Sequence, residues 1–273
     1  MPRQRPNVQS QPVYEPRQRL YVTAALAAEA KISLTGNQAH YLRNVLRCQT
    51  GDAVLLFNGA DGEWQAQIEA LGKKQAELVI GTQHRPQSAG SDLWLLVAPV
   101  KRDRLDYLAQ KATEMGVSRL VPVITRRTQG GGGMVKIDRL HANAIEAAEQ
   151  CGILNVPEIA APQRLEDILQ DWPADRPLVF CDETAPSGAG LDGQELADSD
   201  SKMQGGLAVL VGPEGGFHPD EVKWLADQDN VFGLSLGPRV LKAETAAIAL
   251  IAVFQALVGD GDKHPDFRGS ARH

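Results

Sequence analysis

Two short segments toward the C-terminal end hold the residues best suited to chemistry: Val209-Leu-Val-Gly-Pro-Glu-Gly-Gly-Phe217 and Leu234-Ser-Leu-Gly-Pro-Arg-Val-Leu-Lys-Ala-Glu-Thr-Ala246. Each reads as a buried strand that breaks at a glycine-proline turn. In the first, Gly212, Gly215 and Gly216 allow close backbone approach and Pro213 fixes its own turn, so amides and carbonyls become available to a ligand. His218-Pro-Asp-Glu221 then opens a helix, with Pro219 at its first position and Glu221 able to cap it, presenting the positive end of a helix dipole to an anion. In the second, Gly237 and Pro238 end the strand, and Arg239, Lys242, Glu244 and Thr245 crowd the start of the last helix. A permanently charged, forked guanidinium suits the stabilisation of developing negative charge, and a carboxylate beside it suits orienting it or accepting a proton. Loops of this kind beside parallel strand ends are where small cofactors bind.

The elements that must position these loops follow from hydropathy. From Arg19 to Gln83 the chain is strand-rich: Leu20–Val22, Ala53–Phe57, Trp64–Ile68 and Ala76–Ile80, with a turn at Asn58–Gly62. His40–Arg47 has helical spacing, with Tyr41, Leu42, Val45 and Leu46 on one face and Arg43 and Arg47 more exposed. Trp64 reads as core rather than as a stacking platform. The polar stretch Thr82–Asp92 is a linker. Beyond it, continuous apolar runs at 93–98, 119–124, 178–181, 207–211 and 231–236 alternate with helices at 104–115 and 140–150 and a closing apolar helix at 243–258. Strands apolar on both faces, separated by helices, predict a parallel sheet covered on both sides.

Composition narrows the class. The 273 residues suit two domains, and no apolar run approaches a membrane span. The polar, basic N-terminus has no secretory apolar core, so a cytoplasmic protein with a loose leader is expected. Cys48, Cys151 and Cys181 lie far apart and form no metal-ligand pattern, so neither a disulfide nor a metal is indicated, and Cys151 reads as a buried small hydrophobe. The net charge of −6 argues against indiscriminate polyanion binding. Its distribution is uneven, however. Arg3–Arg19 holds four arginines against one acid, Lys101–Arg127 holds seven basic residues against three acids, and Asp182–Asp200 holds six acids and no base. A basic face on an acidic protein fits a selective nucleic-acid binder, with Arg19, Arg104, Lys111 and Arg126 as candidate phosphate contacts. Gly188–Gly193 matches a dinucleotide fingerprint but lacks the strand before and the helix after, so it reads as a surface loop. The four glycines Gly130–Gly133 read as a connector.

The two glycine-proline segments, with Glu146-Ala-Ala-Glu-Gln-Cys-Gly152 and Val156-Pro-Glu-Ile159, resemble the RsmE family, SPOUT-class enzymes that methylate uracil N3 in 16S ribosomal RNA. The resemblance runs from about Arg17 to Gly259. It implies an α/β, trefoil-knotted parallel-sheet domain over residues 92–259, preceded by a small PUA-like, RNA-binding β-barrel domain over 17–85. A flexible leader (1–16) and tail (260–273) would flank them. It implies S-adenosylmethionine as cofactor, held by Phe180, Cys181, Gly212, Pro213, Glu214, Gly215, Gly216, Leu234, Ser235, Leu236, Gly237, Leu241 and Thr245. Arg239 is then the first choice for the electrostatic role, with Glu214 or Glu244 orienting it or taking the proton. A homodimer acting on uridine 1498, in the usual numbering, is implied as well. The chain departs from the family at Ile153-Leu-Asn155, where arginines are common, and at Lys242, where arginine is common. The alternatives are a nucleotide-cofactor oxidoreductase using Gly188–Gly193, a non-catalytic RNA-binding or assembly factor, and an enzyme of the same class with another target, such as ribose.

Overall fold

The computed structural model describes residues 18–130, 133, 135–182, 185, 206–261 and 263. The leader, the Gly188–Gly193 fingerprint and most of the 260–273 tail lie outside the described residues. The chain divides into two compact units, residues 1–87 and 88–273.

The first unit is built from β1 (Arg19–Tyr21), β2 (Lys31–Thr35), α1 (Asn37–His40), β3 (Ala53–Phe57), β4 (Glu63–Leu71) and β5 (Gln75–Arg85). They form one five-stranded sheet in the order β1-β3-β4-β5-β2. The expectation omitted β2, although Lys31-Ile-Ser-Leu-Thr35 alternates residue by residue between exposed and buried positions. Leu20, Ile32, Leu34, Val54, Leu56, Ala66, Ile68 and Leu78 close over one core with Leu42. Two further expectations are corrected. After α1 the chain continues as a π turn over Tyr41–Val45, in which Leu46 N–H donates to Tyr41 O at 2.9 Å. The wider π spacing rotates Val45 off the apolar face, leaving it 57% exposed. The linker is also shorter than expected, because β5 continues to Arg85.

The second unit holds β6 (Leu93–Val97), α2 (Arg102–Glu114), β7 (Arg119–Ile124), α3 (Ile137–Cys151), β8 (Glu158–Ile159), β9 (Gln163–Arg164), α4 (Leu165–Gln170), β10 (Leu178–Cys181), β11 (Leu207–Val211), α5 (Pro219–Ala226), β12 (Val231–Leu234) and α6 (Ala243–Leu257). The strand order is β12-β10-β11-β6-β7-β8, with β9 also pairing β7, and each of these pairings is parallel. The continuous apolar runs are explained by burial on both faces. Leu93, Leu95 and Val97 pack with Val209, Leu108 of α2, Leu140 of α3 and Leu250 of α6. Leu96 points the other way, to Leu210, Phe180, Leu165 of α4 and Leu225 of α5. The expectation lacked β8, β9 and α4, whose runs of two to six residues are too short for periodicity to reveal.

Parallel pairing aligns strand ends. Cys181 lies opposite Leu234, and Phe180 lies opposite Leu210, so the segments after β10, β11 and β12 all leave the sheet at one edge. Among the described residues, no helix is long and apolar enough to cross a membrane. Cys151, expected to be buried, is exposed at the last turn of α3.

Candidate functional site

At that sheet edge lies a cavity of about 320 Å³, within the second unit. Its wall takes Cys181 of β10 and Asp182 just after it, Gly212 to Phe217 from the loop after β11, Leu234 at the end of β12, and Ser235 to Gly237 with Arg239, Val240 and Leu241 from the segment that follows. Ala243 and Ala246 of α6 complete it, with Val222 of α5 and Arg127. Both glycine-proline bends therefore border one space. Its size is at the lower end of the range of about 300–1,000 Å³ usual for small-molecule sites.

The first bend is shaped by its glycines and by the helix that follows. A Cβ on Gly212 would lie 3.0 Å from the Phe217 ring, so glycine lets the buried ring pack against the backbone. Gly216 has φ +68° and donates its N–H to Pro213 O at 2.8 Å, closing a turn, while a Cβ at Gly215 or Gly216 would project into open space. α5 begins with the expected cap: Glu221 accepts from His218 N–H at 2.8 Å, and His218 Nδ1 accepts from Asp220 N–H at 3.2 Å. The other Glu221 oxygen accepts from Arg126 N–H at 2.7 Å. Glu221 is 2% exposed, and both its oxygens serve backbone donors. Replacement by alanine is expected to lower unfolding free energy by about 2 kcal/mol in a denaturant titration; an unchanged midpoint would refute this capping role.

The charged residues are arranged differently from expectation. Arg239 is exposed in the cavity wall and makes no hydrogen bond or ion pair among the described residues. The carboxylates expected to orient it turn to Arg104 instead: Arg104 Nη1 bonds Glu214, and its Nε lies 3.6 Å from Glu244 Oε1. Glu244 sits in the first turn of α6, where the helix dipole favours a negative charge, and its Oε2 is buried without a hydrogen-bond partner among the described residues. Arg104 thus ties both loops to α2 and is not an unengaged phosphate contact. Of the other three basic candidates, Lys111 bonds Glu114 at 2.6 Å, which raises its pKa above the usual lysine value. Arg126 pairs with Asp220 at 3.0 Å and keeps an exposed guanidinium. Arg19 is buried against Glu63 at 2.6 Å and so is removed from any surface role.

Two of the residues expected to hold the cofactor, Phe180 and Thr245, and the catalytic candidate Glu244 are not in the wall. Phe180 is 1% exposed and packs edge-to-face on Phe217, 6.0 Å between centroids, so it supports the bend from beneath. Thr245 faces solvent, and Glu244 faces Arg104. Cys181 is in the wall, and burial pushes its thiol up to about 12, so it remains protonated and unsuited to nucleophilic attack at neutral pH. Sequence reasoning missed Arg127, Val222 and the α6 alanines as wall residues, whereas Asp182 and Val240 fall within the strand end and the stretch Leu234–Leu241 expected to border the cofactor. For Arg127 the signal was its place just after β7, in a turn that leaves the parallel sheet at the same end as the strands that carry both bends. Among the described residues, no group of three or more His, Cys, Asp or Glu side chains is placed to hold a metal.

Comparison with known proteins agrees with this arrangement. Residues 87–255 match the model of an RNA methyltransferase domain, and residues 34–81 match that of an RNA methyltransferase PUA domain. A ribosomal RNA small subunit methyltransferase E from Rickettsia conorii is 35% identical over 88% of this chain and 95% of its own length. That of Synechocystis is 30% identical over 88% of this chain and 78% of its own. A crystal structure of the Neisseria gonorrhoeae methyltransferase E bound to S-adenosyl methionine superposes with a TM-score of 0.78 at 26% identity, covering 89% of this chain and 98% of that one. With both bends on one cavity and these matches over nearly nine-tenths of its length, the chain belongs to the RsmE family of RNA methyltransferases.

Proposed function

We propose that the protein transfers a methyl group from S-adenosylmethionine to N3 of uracil in 16S ribosomal RNA, at uridine 1498 in the usual numbering. The observation that carries this reading is the one cavity bordered by both glycine-proline bends, with the guanidinium of Arg239, unpaired among the described residues, in its wall. The bound cofactor supplies an electrophilic methyl on a sulfonium. The glycine backbone, Leu234 to Gly237 and Leu241 hold and orient it, while Phe217 and the α6 alanines keep water from one side of the cavity. Loss of the N3 proton leaves negative charge on the uracil carbonyls, which Arg239 stabilises. Glu214, which is in the wall, receives that proton, and Glu244 fixes Arg104.

In the first unit, Arg43 and Arg47 are exposed beside the π turn and have no carboxylate partner among the described residues, which supports them as RNA contacts in place of Arg19. The proposal includes the trefoil knot, a cytoplasmic location and a homodimer. The enclosed position of β10, between β11 and β12, supports the first. The exposed apolar side chains Ala252, Ala256 and Leu257 on α6 support the last.

The test is methyl transfer itself. Small subunits lacking the modification are incubated with the protein and labelled S-adenosylmethionine, and the modified nucleotide is located by mass spectrometry. One methyl on N3 of the target uridine is expected. Binding of the subunit without transfer would favour a non-catalytic assembly factor.

A further inference from the structure

The turn after β7 is held more firmly than a connector requires. Thr125 N–H donates to Thr128 Oγ1 at 2.9 Å, Thr128 N–H donates to Thr125 O at 3.1 Å, and the two hydroxyls lie 2.9 Å apart. Inside the turn, Arg126 is anchored twice to α5, through its N–H on buried Glu221 and its Nη1 on Asp220. Arg127 then projects into the cavity wall, and its Nη1 donates to Gly215 O at 2.7 Å.

The two neighbouring arginines differ in charge balance. Arg126 has a carboxylate on its guanidinium, whereas Arg127 has, among the described residues, only a neutral backbone carbonyl. A guanidinium carries five N–H donors in a planar fork that matches two oxygens of a carboxylate or phosphate. One donor of Arg127 is spent on aligning the group against the glycine bend, and its full positive charge stays at the cavity. Arg239 is the other arginine of the wall without a carboxylate partner among the described residues, and it comes from the other bend.

We propose that Arg127 is a ligand-binding residue of this cavity, seating a two-oxygen anionic group of the bound ligand against the Gly215 bend. The inference rests on reading the cavity as the methyl-donor site. Two sources supply that chemistry there: the carboxylate of the methyl donor, or an RNA phosphate next to the target nucleotide.

The experiment compares wild type with Arg127→Gln, which keeps an amide donor for Gly215 O but removes the charge, and with Arg127→Lys. Affinity for S-adenosylmethionine and for its decarboxylated analogue is measured by calorimetry, and KM for unmodified small subunits is measured at several salt concentrations. Carboxylate seating predicts that Arg127→Gln binds S-adenosylmethionine about tenfold more weakly, yet binds the decarboxylated analogue as wild type does. Phosphate seating predicts unchanged cofactor affinity, KM raised about tenfold, and a log-log salt slope reduced by about one. Arg127→Lys should recover part of either loss. The proposal is overturned if both constants of Arg127→Gln stay within twofold of wild type, or if they change only together with a fall in melting temperature. Wild type that binds no S-adenosylmethionine would instead remove the functional reading, and this inference with it.

Discussion

Arg239→Ala is expected to slow methyl transfer by about 10²–10³-fold, the usual consequence of deleting one preorganised donor at a site of developing charge. The argument starts from what uracil requires. N3 carries a proton and is flanked by two carbonyls, so attack on the methyl group becomes feasible as negative charge spreads onto those oxygens. A fixed cation lowers the energy of that charge only if it is not already neutralised. Arg104 is held between Glu214 and Glu244, and Arg126 is paired with Asp220, whereas Arg239 lines the cavity without a carboxylate partner among the described residues. The loss should therefore fall on the chemical step. Single-turnover rates at saturating cofactor should drop, while the dissociation constant for S-adenosylmethionine stays within about threefold. Arg239→Lys should restore little, because an ammonium lacks the planar fork. An unchanged single-turnover rate in Arg239→Ala would remove this residue from the mechanism.

The second large effect concerns stability and lies in the first unit. Glu63 is fully buried, and its carboxylate takes Arg19 Nε at 2.6 Å, Arg85 Nε at 2.9 Å and Arg85 Nη2 at 3.1 Å. The Arg19 guanidinium also lies 4.3 Å from the Phe57 ring centroid. Glu63→Gln removes the buried charge that both Arg19 and Arg85 share, and breaking a buried pair from one side costs about 3–5 kcal/mol. The unfolding midpoint of this unit should fall accordingly in a denaturant titration, and a shift worth less than about 1 kcal/mol would contradict the account.

The same carboxylate sets a pH dependence. Burial alone pushes Glu63 upward, but hydrogen bonds and charge from Arg85 and Arg19 outweigh it and hold the group below the usual carboxylate range. A depressed folded-state pKa contributes stability that is fully present above the unfolded value, near 4.3, and is lost as pH falls through the lower folded value. Wild type should therefore lose stability in acid more steeply than Glu63→Gln.

How far the sequence discloses this protein depends on the range of the interaction. Leu93–Val97, Leu178–Cys181 and Leu207–Val211 announce a two-faced parallel sheet because every residue must be apolar, and His218 to Glu221 announces a capped helix because the cap is four residues long. The bends at Gly212 and Gly237 were legible for the same reason. Pairings between distant residues were not. Arg104 meets Glu214 across 110 positions, and Arg19 meets Glu63 across 44, so neither arginine could be told from a surface cation by local pattern. Phe180 sits at the right strand end but is buried beneath Phe217 instead of lining the cavity, a matter of strand register that a continuous apolar run conceals. Val45 was misplaced because a π turn changes the spacing on which a helical face is reckoned. Arg127 was overlooked because its importance comes from Gly215, 88 residues away.

The account depends most on the two bends forming one seat for the methyl donor, and calorimetric titration of S-adenosylmethionine into wild type and Gly215→Leu tests this directly. A Cβ at Gly215 meets nothing within 4 Å, so the leucine should extend into the cavity without disturbing the fold. The prediction is saturable binding of one cofactor per wild-type chain, at least tenfold weaker binding by Gly215→Leu, and melting temperatures that agree. No heat with wild type, or equal affinity in the two proteins, would contradict it.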